Sequence, residues 1–254
     1  MDVMTQAPEL VAHRGDMTRY PENTLPAFSA AIEAGARFVE LDIQMSKNAV
    51  PMVVHDVDLD RVAGIAACVK DVDAAKLERI KADKSAPPFQ STYYAFIPTL
   101  RTFVSFLNEH ASVTAFVEIK TTGTEHVGIK RNVERVLGEL ELSTFPFSVI
   151  SFSRDVVQFV RKSTSCPIGW VLNTYDEHSR SECDSLAPDY VFCNVNHLSP
   201  ECESLWQIDG KWVIYDIVSP GLAMQWFERG ADMIETGDII TMLNSPPFTS
   251  SAHD

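Results

Sequence analysis

The sequence has no cationic excess, no long hydrophobic run, no C-x-x-C pair and no G-x-G-x-x-G loop, and each absence removes a class of function. Its 21 basic side chains stand against 35 acidic ones, a formal charge of −14. A nucleic-acid duplex or an anionic membrane repels such a chain, so an anionic ligand has to be held by a local cluster of cations or by a metal. Residues 1–10 carry neither a basic region nor an apolar stretch, so no signal peptide or stable membrane anchor is expected and the cytoplasm is the expected compartment. Five cysteines, Cys68, Cys166, Cys183, Cys193 and Cys202, suit reduced thiols rather than a disulfide framework or a zinc knuckle. Without a glycine-rich turn after the first apolar run, an open dinucleotide-binding sheet is disfavoured.

What remains is a chain of 254 residues, 45% hydrophobic, in which short β-branched runs alternate with stretches of helical period. Strands are expected at 10–13, 38–43, 52–55, 114–119, 148–151, 168–172, 190–195, 212–217 and 233–235. Helices lie between most of them. The first is the clearest: Thr24 can cap it, Pro26 is tolerated in its first turn, Leu25, Phe28 and Ile32 share a face, and Gly35 ends it. Alternation in a chain of this length predicts an α/β fold, a single (β/α)8 TIM barrel over 1–254. The exception is 57–97, which carries no clear strand and reads as a small insertion over the barrel mouth. Its Lys70, Asp71, Asp73, Lys76, Glu78, Arg79 and Lys81 make a solvated helix face, and its aromatic stretch 89–96 either packs on the barrel or lines a substrate path.

Ionisable residues stand at the carboxyl ends of successive apolar runs: His13-Arg14, Glu40 and Asp42, His55-Asp56, and Glu118 and Lys120. Residues two apart in a strand share a face, so Glu40 projects with Asp42, and Glu118 with Lys120. Two carboxylates together on a buried face need a cation between them, for which Arg14, Arg37 and Lys120 are candidates. Taken singly, each has an ordinary reading, as a satisfied core histidine or a strand-end ion pair. Four successive strands ending in ionisable groups, on the barrel face where active sites are built, make a site the better account. Glu40, Asp42 and Glu118 offer all-oxygen ligation, which suggests one divalent cation, Mg²⁺ or Ca²⁺, rather than zinc. His13 and His55 suit an acid–base pair, while Arg14 and Lys120 can hold an anionic phosphate. Phosphoryl chemistry is the leading class; a glycosidase is disfavoured because Glu40 and Asp42 are too close to flank a sugar.

The run His13-Arg14-Gly15, Pro21-Glu22-Asn23-Thr24, Val39-Glu40-Leu41-Asp42 and Val54-His55-Asp56, with Leu59 and Arg61, resembles the glycerophosphodiester phosphodiesterase family. Ile97-Pro98-Thr99-Leu100, Glu118-Ile119-Lys120, Ser151-Phe152 and 230–236 extend the likeness over nearly the whole chain. The resemblance implies hydrolysis of a small-molecule glycerophosphodiester, such as glycerophosphocholine or glycerophosphoethanolamine, to sn-glycerol 3-phosphate and an alcohol. It implies Glu40, Asp42 and Glu118 as metal ligands, His13 and His55 as the acid–base pair, and Arg14 and Lys120 as phosphate contacts. Attack by the substrate's own glycerol hydroxyl, through a cyclic phosphate, is implied as well. Asn23 is either a turn residue or a direct participant. Counting back from Gly230 puts Tyr215 at the family's aromatic, substrate-binding position.

The chain departs from that pattern in places. Lys47-Asn48-Ala49 replaces an Asp-Gly turn, Arg101-Thr102 follows Ile-Pro-Thr-Leu without the usual acid, and Tyr215-Asp216-Ile217-Val218 and Thr236-Gly237-Asp238 replace the closing motifs. A lysophospholipid or sphingolipid phosphodiesterase on the same barrel, or a noncatalytic phosphodiester-binding barrel, are the alternatives. Barrel enzymes of this size are often oligomeric, so a homo-oligomer stays open.

Overall fold

The computed structural model describes residues 6–82 and 95–251. Eight parallel strands close on themselves: β1 (Glu9–His13), β2 (Phe38–Met45), β3 (Thr114–Ile119), β4 (Phe147–Ser151), β5 (Ile168–Val171), β6 (Tyr190–Asn194), β7 (Lys211–Tyr215) and β8 (Met233–Thr236). Each pairs with its neighbours in chain order, and β8 pairs back to β1 with Glu9 opposite Met233 and Ala12 opposite Thr236. The chain folds as a TIM barrel.

Two layers of core follow from the two-residue period of the strands. Val11, Phe116, Ile150, Val171, Phe192, Val213 and Met233 form one cluster that fills the barrel. Their chain neighbours, among them Leu10, Ala12, Ala115, Val117, Ile214 and Ile234, point outward into a larger cluster shared with the helices. That outer layer takes Phe28 from α1 (Leu25–Glu33) and Phe103 from α2 (Leu100–Leu107), whose rings meet edge to face at 4.9 Å. In α1 the fully buried residues are Ala27, Phe28 and Ala31, while Leu25 and Ile32 pack at the margin. Thr24 occupies the cap position, but its hydroxyl donates to the carbonyl of Pro21 at 2.6 Å instead of capping an amide. No α-helix joins β6 to β7. The loop that does so buries Leu198 and Leu205 and stacks Trp206 on Tyr175 at 4.0 Å.

The third expected strand is not a barrel strand. Pro51–Val53 turns back antiparallel on the end of β2, pairing Ile43 with Val53 and Met45 with Pro51. Periodicity shows that a run is extended and says nothing of its direction, which the turn decides. In that turn Ala49, not Asn48, takes the left-handed conformation (φ 56°), and the Asn48 side chain accepts hydrogen bonds from the Ser46 hydroxyl and the Ala74 amide.

The expectation of no strand in 57–97 is corrected as well. Asp58–Leu59 pairs antiparallel with Ile65–Cys68, strands too short for a periodic signal to register. Val54, Leu59, Val62, Val69, Leu77 and Ile97 give this region a small core of its own. Lys70, Asp71, Asp73, Lys76, Glu78, Arg79 and Lys81 are exposed as expected, but of these only Lys76 stands on an α-helix, the single turn Ala74–Leu77. Of the aromatic stretch 89–96, all but Ala95 and Phe96 lie outside the described residues. Among the described residues no helix is long and apolar enough to cross a membrane.

Candidate functional site

On five of the eight strands the inward face is apolar at the bottom and in the middle of the barrel and becomes ionisable at the carboxyl end. Two residues beyond Val11 is His13; beyond Phe38 come Glu40 and Asp42; beyond Phe116 come Glu118 and Lys120; beyond Val213 is Tyr215; beyond Met233 is Glu235. All of these strand-end side chains but Asp42, which lies behind Arg14 and Lys120, join Arg14, His55, Phe152 and Asp216 in lining one cavity of about 230 Å³ whose floor is Ile150, Val171 and Phe192.

The loop after β1 sets the positive side of the cavity. Gly15 (φ 86°) lies so near the next segment that a Cβ there would stand 2.6 Å from the carbonyl carbon of Ala27. The close approach lets the Asp16 amide donate to Ala27. Arg14 and Asn23 both hold left-handed backbone (φ 55° and 57°), and the Asn23 amide donates to the Arg14 carbonyl at 3.0 Å. Arg14 thereby brings Nε to 3.0 Å from Asp42 Oδ2 and Nη1 to 3.0 Å from Glu22 Oε1. Lys120 Nζ stands 2.7 Å from Asp42 Oδ1 and 2.9 Å from Glu118 Oε1. Arg14 and Lys120 are the cations the paired carboxylates require. Arg37 is not, since it pairs with Glu9 at the other end of the barrel.

The two histidines enter from different sides. His13 ends β1, with Nε2 3.3 Å from Glu235 Oε1 and 3.9 Å from Glu40 Oε2, and Nδ1 3.8 Å from Asp216 Oδ1. His55 follows the antiparallel strand, its carbonyl accepting from Gln44 Nε2 and its Nδ1 meeting Asp56 Oδ1 at 2.7 Å. Asp56 is fixed in turn by Arg61 Nε at 2.6 Å, and Arg61 clamps both oxygens of Glu22 at 2.7 Å. Burial, with the positive charge of Arg14 and Lys120, holds both imidazoles below the ordinary histidine range, His13 the further. Tyr215 lies with its ring 6.4 Å from that of His13, and burial pushes its hydroxyl up.

The carboxylates divide by their partners. Burial alone would raise Asp42, but Arg14 and Lys120 outweigh it and hold it far below the usual carboxylate range. Glu40 and Glu235 are pushed well up by burial, Glu40 further by Asp42 and Glu235 beside it, Glu235 by Glu118 and Asp42 against the pull of Arg14. Glu40 Oε1 and Glu235 Oε2 are buried without a hydrogen-bond partner. Such atoms call for a cation. Two groups of donor atoms within 4.8 Å of one another could hold one: Glu40 with Asp42 and Glu118, and His13 with Glu40 and Glu235.

All eight residues singled out in the sequence, His13, Arg14, Glu40, Asp42, His55, Glu118, Lys120 and Tyr215, therefore meet in or against one cavity. Glu235 was not among them, although it satisfies the same rule of an ionisable residue closing an apolar strand. Asn23 proves to be neither only a turn residue nor part of the cavity lining. Its amide grips Asp42 from behind.

Residues 13–206 match the glycerophosphoryl diester phosphodiesterase family. A glycerophosphodiester phosphodiesterase of Bacillus altitudinis is 31% identical over 134 residues, about half of either chain (53% of this one, 54% of the relative). Another, from Caldanaerobacter subterraneus subsp. tengcongensis, is 31% identical over 250 residues, 92% of this chain and 96% of the relative. Among solved structures, an Oleispira antarctica phosphodiesterase in complex with the product sn-glycerol-3-phosphate aligns with a TM-score of 0.81 at 19% identity, covering 93% and 95% of the two chains. At that identity the likeness speaks for the barrel alone.

Proposed function

The chain belongs to the glycerophosphoryl diester phosphodiesterase family, and from that premise we propose that it hydrolyses glycerophosphodiesters to sn-glycerol 3-phosphate and an alcohol. The observation that carries this reading is the meeting of two depressed-pKa histidines, two cations and a cluster of carboxylates on one inward barrel face. A single anionic phosphate needs the cations, and a metal needs the carboxylates.

In this reading Arg14 and Lys120 hold the nonbridging phosphate oxygens, Arg14 through its planar fork and Lys120 as a point charge. Glu40, Asp42 and Glu118 hold a divalent cation, Mg²⁺ or Ca²⁺ by the hardness of the donors, which when bound supplies Lewis-acid stabilisation of charge on phosphate. His13 and His55, whose buried surroundings favour the neutral ring, His13 the more strongly, share the protons. One, as the neutral ring, accepts the proton of the substrate's own glycerol hydroxyl as that oxygen bonds to phosphorus; the other, entering the step as the imidazolium that a bound anionic phosphate favours, gives its proton to the departing alcohol oxygen. Water then opens the cyclic phosphate with the two roles exchanged. Tyr215 forms an aromatic wall beside His13. Arg61, at the start of the region 57–97, ties that segment to Asp56 and Glu22 beside the cavity. Five free thiols suit a cytoplasmic location.

The test is release of glycerol 3-phosphate from glycerophosphocholine and glycerophosphoethanolamine with Mg²⁺, Ca²⁺ or chelator, comparing wild type with His13→Ala and Glu40→Gln. Divalent-dependent release that both substitutions abolish is expected. No release with any ion, or release that survives both substitutions, overturns the reading.

A further inference from the structure

The cavity holds more negative charge than one divalent ion can balance. With every carboxylate ionised, as a bound cation requires, Glu22, Glu40, Asp42, Asp56, Glu118, Asp216 and Glu235 stand against Arg14, Arg61 and Lys120, a deficit of four positive charges. The partners are unevenly shared. Asp42 and Glu118 already meet Lys120, and Glu22 meets two arginines. Among the described residues Glu235 has no fixed cation: its Oε1 meets only the imidazole of His13, and its Oε2, in a residue 3% exposed, has no hydrogen-bond partner. Glu40 Oε1, in a residue 2% exposed, is in the same condition. Both residues line the cavity.

We propose that Glu235, Glu40 and His13 form a second position for a divalent cation, beside the one offered by Glu40, Asp42 and Glu118 and sharing Glu40 with it. The donor atoms of the three lie within 4.8 Å of one another. An imidazole among two carboxylates suits a borderline ion such as Mn²⁺ or Zn²⁺ better than Ca²⁺, whereas the first position is all oxygen. The second ion also supplies the charge that the first leaves short. Resting on the function proposed above, it carries a consequence: an ion there occupies the Nε2 lone pair that His13 needs for proton transfer. The position is therefore inhibitory, filled at higher ion concentration than the first.

Mn²⁺ is the probe, with free ion followed by electron paramagnetic resonance on the whole chain. Wild type is expected to bind two Mn²⁺ per chain, and Glu235→Gln one, with the tighter constant within about threefold of wild type. Glu118→Gln, which weakens the first position, retains binding at the second. One ion in wild type, two in Glu235→Gln, or none in Glu235→Gln with wild-type circular dichroism each overturns the proposal. Should Glu235→Gln not fold, anomalous scattering from Mn²⁺-soaked wild-type crystals decides: two peaks, one against Glu235, support the site, and one peak overturns it. Glycerol 3-phosphate release on the same samples separates the two proposals. Excess Mn²⁺ slowing wild type and not Glu235→Gln supports the inhibitory role, and two bound ions without slowing overturn that role. One ion with full activity overturns the second position alone; two ions at saturation, with no release of product even at the lower Mn²⁺ concentrations that fill only the first position, overturn the proposed function alone.

Discussion

Asn23 and Asp42 exchange two hydrogen bonds across the base of the cavity: Asn23 Nδ2 donates to Asp42 Oδ2 at 2.8 Å, and the Asp42 amide donates to Asn23 Oδ1 at 3.3 Å. The pair fixes the direction in which Asp42 presents its other oxygen. Outer partners of this kind are worth about 10–100-fold in metal affinity. Asn23 has φ 57°, so glycine is the replacement that keeps the backbone while removing the amide. Asn23→Gly is expected to weaken the tighter Mn²⁺ constant by about tenfold or more and to leave the rate at saturating ion nearer to wild type. Calorimetric titration checks the first part. An unchanged constant would show that Asp42 needs no such support.

Gly15 sits where two constraints coincide, positive φ (86°) and contact with the Ala27 carbonyl group. The left-handed backbone alone costs a residue with a Cβ about 1–2 kcal/mol. A Cβ 2.8 Å from the Ala27 carbonyl oxygen must add to that, because the atom in the way is backbone. Gly15→Ala should therefore lower unfolding free energy by more than about 2 kcal/mol, read from urea denaturation, and displace Arg14 next to it. A loss under about 1 kcal/mol would mean that the loop gives way easily.

Much of this site was legible because a strand repeats every two residues. Once Val11, Phe38 and Phe116 are read as inward, His13, Glu40, Asp42, Glu118 and Lys120 follow without further information. The same step from Met233 leads to Glu235. His55 reaches the cavity by a route its apolar run does not reveal, since an antiparallel return brings it alongside β2. Arg61 and Asn23 act through contacts 39 and 19 residues away in sequence, and no local pattern encodes such contacts.

Arg61 and Glu22 form the clamp that carries Asp56 and, through it, His55. Burial works against the Glu22 charge, but Arg61 and Arg14 outweigh it and hold the carboxyl below its usual value. A depressed carboxyl stabilises the fold above its unfolded pKa, about 4.3, and that contribution is lost as pH falls through the folded value. Removing one partner of a fully buried pair costs about 3–5 kcal/mol. Arg61 is 44% exposed and Arg14 stays on Glu22, so Arg61→Met is expected to cost less, about 1–3 kcal/mol at pH 7. Denaturation at a series of pH values should show the gap from wild type closing below about pH 4. A gap that widens with acid would contradict the assigned sign.

The hydrogen bond from His55 Nδ1 to Asp56 favours the imidazolium, against burial and the charges of Arg14 and Lys120, which favour the neutral ring. With those opposing it, His55 lies below its ordinary pKa, and a base that must be neutral stays active to below about pH 6.5. The charge of Asp42 also raises the value, and Asp56→Asn removes the smaller, hydrogen-bonded contribution that adds to it. Its acid limb in kcat/KM should move to lower pH, while kcat falls because the ring loses its orienting partner. The pH profile is the measurement, and a limb that moves upward would assign proton transfer to another group.

Lys120 stands where a metal held by Asp42 and Glu118 would draw its oxygens, 2.7 and 2.9 Å from the two carboxylates. Burial disfavours its charge, but Asp42 and Glu118 more than offset this and keep the ammonium protonated well beyond neutral pH. Two effects then pull apart in Lys120→Met. Removing a competing cation leaves Asp42 and Glu118 short of positive charge, so Mn²⁺ should bind no more weakly than in wild type. Removing a fixed charge from the phosphate should lower kcat by about 10²–10³, as loss of a preorganised donor to a charged transition state does. Parallel ion titration and steady-state kinetics test the two together. Loss of binding along with rate would make Lys120 a scaffold for the carboxylates, whereas loss of rate with binding intact places its charge on the substrate.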